Sequence, residues 1–265
     1  MRAVDELKIL VKELVNVLES LSEQLAPLVE KAVSAGIAQA YLTKAGRTLR
    51  AIDLLYTHGL EEQAQALIRV LLETWLSFGT FSEMAKKDER DACTRFLDSM
   101  MLEKVKQARA SGFAGLEMIP GGPSAKDLEE AEAKILSGYS SADAKRMKKH
   151  GFTGLSVAQR ASLLGEESNY DIVYRNFSRN VHSTDYLEHY MLQAENSAEW
   201  FQPYLEARDR VGLSTALWSA MAIALIADQL IGCPHQEKLL EVEGRRIKIM
   251  STPPDTPIER PPSLL

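Results

Sequence analysis

The stretch YDIVYRNFSRNVHSTDYLEHY, residues 170–190, gathers more groups able to move a proton or hold an anion than any other part of the chain. Arg175, His182 and His189 follow one another at intervals of seven. At ~100° per residue that spacing sets all three on one arc of an α-helix. Ser178 and Asp185 fall beside them, and Tyr170, Tyr174, Phe177 and Val181 form an apolar stripe on the neighbouring face. A histidine exchanges protons near neutrality, and an arginine clamps a phosphate through two parallel hydrogen bonds. Together they suit one metal-free reaction. A histidine takes the proton from a ribose 2′-hydroxyl or returns one to the leaving oxygen, while the arginine stabilises charge on the phosphorane-like transition state. The requirement for a 2′-hydroxyl makes RNA the substrate class. A homodimer that brings two such helices together would supply a second acid or base.

On this reading the catalytic residues are Arg175, Ser178, His182, Asp185 and His189, with Asp185 orienting a histidine. Tyr174, Asn176 and Arg179 would contact substrate. Lys148 and Lys149 would do so from a separate basic run, which also contains Lys145, Arg146 and His150. No metal or other cofactor is required. Three alternatives stay open. The same arc also reads as an ordinary packed face, with Arg175 and Arg179 bridging to Asp171, Asp185 or neighbouring helices. The chain would then be a non-enzymatic binding or scaffold protein. His182, Asp185 and His189 could instead approach one metal ion in a helical-bundle enzyme, with Glu73 as a fourth ligand, although neither an HExxH nor a di-iron ExxH pattern is present. The basic run reads by default as a solvated face.

These side chains need helices to hold them, and the rest of the sequence supplies little else. Leu7, Leu10, Leu14, Val17, Leu18, Leu21, Leu25 and Leu28 recur at three and four over residues 3–34. Pro27 is placed to bend the end of that helix and Gly36 to break it. A second helix is expected from Ile37 to about His58, ended by Gly59. A third runs from Leu60 to Phe78 and is apolar nearly all round. Its exceptions are Arg69 and Glu73, one turn apart. They read as a partly buried, mutually neutralising pair or as a brace for the histidine helix. A fourth helix covers about 87–110.

The segment SGFAGLEMIPGGPSAKD then reads as a loop, followed by short helices at about 124–137, 141–149 and 156–164 with N-caps at Ser124, Ser140 and Ser156. The long helices resume at Glu167 and continue to about Asn196. A helix containing WFQPYLEARDRV comes next, and then the nearly charge-free run Leu213–Gly232. Asp228, Gln229 and the many alanines in that run favour a buried central helix over a bilayer crossing. HQEKLLEVEGRRIKIM is either helical or a short extended piece. No run alternates long enough to demand a sheet.

The expected fold is therefore an all-α multi-helix bundle with a small helical insertion. Residues 1–112 form the first part of the bundle, 113–165 the insertion, 166–250 the second part and 251–265 a flexible proline-rich tail. The chain has 265 residues, 45% of them hydrophobic, which is enough for a sizeable core. The net charge of −6 gives no global attraction to nucleic acid. The two cysteines, Cys93 and Cys233, form neither a disulfide framework nor a metal-ligand spacing. They fit a reducing compartment. With no signal-like N-terminus, a cytoplasmic location and no membrane partner are expected.

RAIDLLYTHGLEEQAQALIRVLLETW followed at a distance by YDIVYRNFSRNVHST resembles a bacterial helical family of unknown function, the DUF5677 type. The resemblance rests on Arg50, Gly59, the A-x-x-L-x-R-x-x-x-E pattern of Ala64 to Glu73, and Tyr174, Ser178 and His182. It spans about residues 40–230 and implies helices without a settled activity. A looser similarity is to the HEPN superfamily of helical ribonucleases, common in toxin and phage-defence systems. Its motif of an arginine, a polar residue and a histidine is met at its longest spacing by Arg175, Asn176 and His182. Arg179 stands too close to His182 to serve. That similarity implies a metal-independent, dimeric ribonuclease site.

Overall fold

The computed structural model describes residues 2–110, 124–175 and 198–253. All regular elements among them are helical. They fall into two compact units, one of residues 1–79 with 164–265, the other Thr80–Leu163.

The larger unit is built on α1 (Ala3–Val29), α2 (Val33–Thr57), the first part of α3 (Glu61–Lys87), α9 (Ala198–Gln229) and α10 (Gln236–Ser251). The leucine repeat of α1 makes its inner face, with Leu7, Leu10, Leu14, Leu18, Leu21 and Leu25 almost wholly buried. α1 packs on α2, α9 and α10, and α9 also packs on α2 and α10. α9 has an apolar stretch long enough to cross a bilayer, yet 78% of that stretch is buried within the fold. Its apolar surface is thus already covered by helices, as the alanine-rich sequence suggested. Arg210, itself buried, donates from α9 to the carbonyls of Ile249 and Thr252 at the C-terminal end of α10, where the helix dipole favours a cation. Arg245 of α10 makes a two-pronged bond to Glu13 of α1 at 2.9 and 2.7 Å.

The smaller unit holds the end of α3, α4 (Glu89–Ala110), α5 (Ala125–Leu136), α6 (Ser141–His150) and α7 (Val157–Leu163). Its core is aromatic. Phe96 lies edge-on to Phe81 and Phe152, with ring centres 5.9 and 5.1 Å away, an arrangement the ring quadrupoles favour. All three serines cap as expected. Ser124 forms a reciprocal capping box with Asp127. Ser140 accepts from the Asp143 amide and Ser156 from the Gln159 amide.

Three expectations are corrected. Gly36 does not break the first helix, because the turn falls at Glu30–Ala32 and Gly36 lies in the first turns of α2. Pro27, lacking its amide hydrogen, stands one turn ahead of that end. The helix containing WFQPYLEARDRV and the apolar helix expected after it are one, α9, which runs from Ala198 to Gln229. The third helix runs on past Phe78 to Lys87, and Asp88 then caps α4 through the Asp91 amide at 2.9 Å. Of the two forms open to the 236–251 segment, the helix is the one found.

Candidate functional site

The segment leading towards the proton-handling arc begins with a sharp turn, Leu164–Gly165–Glu166. Gly165 has φ +70°, a left-handed conformation costing other residues about 1 kcal/mol or more. Leu164 presses on α3 at Gly79, where a Cβ would stand 2.7 Å from Leu164 Cδ1. The next residue, Glu166, turns inward and is 6% exposed. Its Oε1 accepts from the indole N–H of Trp75 on α3 at 3.2 Å and from that of Trp218 on α9 at 2.7 Å. Its Oε2 accepts from Asn169 Nδ2 at 2.6 Å. Arg246 stands over the Trp218 ring at 5.7 Å, tied to Glu243 and Ser214.

From here the chain makes one short helix, α8 (Glu167–Asn169), and then a π-helical turn, Tyr170–Arg175. Over Tyr170–Arg175 a wider i→i+5 winding stands where an α-helix was expected. It takes in Arg175, the first member of the arc. Tyr174 and Arg175 are placed by their backbone alone. Asn176, Ser178, Arg179, His182, Asp185 and His189 lie outside the described residues.

Arg69 and Glu73 meet as their spacing predicts. Arg69 Nε donates to Glu73 Oε1 at 3.0 Å, with both side chains partly exposed. Glu73 would have to leave this pair to serve a metal. Among the described residues no three His, Cys, Asp or Glu side chains gather to hold a metal ion. Lys148 is also committed. Its Nζ lies 2.5 Å from Glu132 Oε1, while Arg109 pairs with the other oxygen. Lys148 first, and Arg109 with it, hold the Glu132 carboxyl below its ordinary range against the opposing effect of burial. Lys106 donates to the Lys148 carbonyl at 2.8 Å. Lys149 is exposed, as is Lys145.

Two polar nodes escaped the sequence reading. One is the Glu166 cluster, for which a glutamate after a lone glycine gives no distinctive signal. The other is Asp209 on α9, which accepts from Tyr56 Oη and lies near Arg208, both at 3.4 Å. Burial raises the Asp209 carboxyl to about 6, and nearby Glu61 adds to the rise, against the opposing pull of Arg208. Tyr56 is raised too, by burial first and then by Asp209.

A family model described as a family of unknown function, DUF5677, matches residues 36–198, more than half of the chain. No curated protein and no solved structure matches it.

Proposed function

We propose that this chain, which belongs to the DUF5677 family of unknown function, is a metal-independent, HEPN-like RNA-cleaving protein that acts in the cytoplasm as a homodimer, in a toxin or phage-defence role. The observation that carries the reading is the π-helical turn that takes in Arg175. Such turns are frequent at functional sites, and this one carries the arginine of the only Arg–polar–His motif of suitable spacing in the sequence. In the proposed reaction His182 removes the proton from a ribose 2′-hydroxyl. The resulting oxygen attacks the adjacent phosphorus, and the 5′-oxygen leaves with a proton from an acid, His189 or a histidine of the second copy. Arg175 stabilises the non-bridging oxygens, while Ser178 and Asp185 orient the histidines. Tyr174, Asn176 and Arg179 contact the strand, joined by Lys149. Lys148 joins it only if it leaves Glu132.

The test is cleavage of a labelled single-stranded RNA in EDTA. His182→Ala or Arg175→Ala should slow cleavage at least ~100-fold, the scale of a lost general acid or base, with thermal stability little changed. A parent protein that leaves RNA intact, or a His182→Ala variant that cleaves as the parent does, overturns the reading. A non-enzymatic binding role is the second reading. The exposed neighbours Leu97, Met100 and Met101 on one face of α4 favour it.

A further inference from the structure

We infer that Glu166 is the positioning residue for the segment Tyr170–Arg175, and through it for the RNA site proposed above, on which this last step rests. A carboxylate 6% exposed is costly to bury. Glu166 is held by three neutral N–H donors, two of them indoles from separate helices, and among the described residues no cation pairs with it. Hydrogen bonds to a charged acceptor are the strong ones, and both indole hydrogens converge on one oxygen. The carboxylate thereby ties α3 and α9 to the first residue after the Gly165 turn.

The same residue acts through its backbone. Its carbonyl accepts the Tyr170 amide at 2.9 Å, at the first residue of the π-helical turn. Asn169, the last residue before that turn, donates to its side chain. Glu166 therefore fixes the chain on both sides of the point where the winding widens. Leu164 seated at Gly79 and Arg246 stacked on Trp218 hold the clamp in register.

The experiment uses the full chain labelled with ¹⁵N. In Glu166→Ala the indole N–H resonances of Trp75 and Trp218 should move upfield. Amide exchange at Tyr170–Arg175 should quicken at least tenfold while α1 and α2 exchange as before. Glu166→Gln, which keeps the Oε1 acceptor, should restore most of both. In the cleavage assay Glu166→Ala should lower kcat about tenfold with KM little moved, and Gln should recover it.

Unchanged exchange at Tyr170–Arg175 in the alanine variant, or a glutamine variant no better than alanine, overturns the positioning role. A parent that does not cleave RNA overturns the nuclease reading alone, because the indole shifts and exchange rates still decide this one. If Glu166→Ala does not fold, Asn169→Ala and Trp218→Phe each remove one donor. Faster exchange at Tyr170–Arg175 in both supports the role, and any other result overturns it.

Discussion

Asp209 is a single residue whose environment makes a measurable pH signature. Its carboxyl is raised to about 6 by burial and by Glu61, facing Tyr56 from α2 and Arg208 on its own helix. A raised carboxyl is protonated more readily in the folded chain than in the unfolded one, whose value is near the ordinary 3.8. As pH falls from above 6 towards 4, the folded state takes up a proton that the unfolded state does not, and stability rises. Below about 4 both forms are protonated and the gain levels off. Above 6 the ionised side chain costs at most about 3 kcal/mol. Asp209→Asn keeps an acceptor for Tyr56 and removes the charge. It should be more stable than the parent at pH 8, lose about half of this advantage by pH 5 and most of it by pH 4. Urea unfolding of both proteins across that range measures the difference, and a difference independent of pH would remove Asp209 as its source.

At the scale of elements, α9 shows how a sequence can advertise a helix and conceal its use. Its run of small and apolar side chains looks like a membrane span, but Ala216, Ala220 and Ala224 are fully buried at intervals of four. Small side chains let helices approach closely, and α9 packs on α1, α2 and α10. Replacing Ala220 with Leu inserts atoms where there is no room and should cost about 1–3 kcal/mol. A lowered Tm for Ala220→Leu, with Ala220→Gly costing less, is the expected result. An unchanged Tm for the leucine variant would mean that this face is not close-packed.

The legible features were of the same local kind. Leucine spacing on α1, serine caps on the short helices and Gly59, whose φ is +70°, are written within a few residues of where they act. The Glu166 clamp depends on Trp75 and Trp218, partners distant in sequence. The seven-residue spacing of Arg175, His182 and His189 was legible as a motif. The π-helical winding before it was not, because no residue type in YDIVYR requires it.

The division into two units makes the last prediction one about the whole molecule. The larger unit rests on long helices with a leucine and alanine core. The smaller one includes α5, α6 and α7, helices too short to persist alone in water, around Phe81, Phe96 and Phe152. Each core should therefore answer to its own substitutions. Phe152→Ala removes a ring that is 9% exposed and should weaken Thr80–Leu163 by about 3 kcal/mol. Hydrogen exchange should then quicken across α4, α5 and α6 while the central amides of α1 and α2 keep their protection. Leu14→Ala, at a fully buried position of α1, should show the reverse, with exchange rising across α1, α2, α9 and α10. Local opening of this kind follows cooperative blocks of structure rather than single contacts. A Phe152→Ala variant in which α1 and α2 exchange as much faster as α4 would show that the chain unfolds as one block.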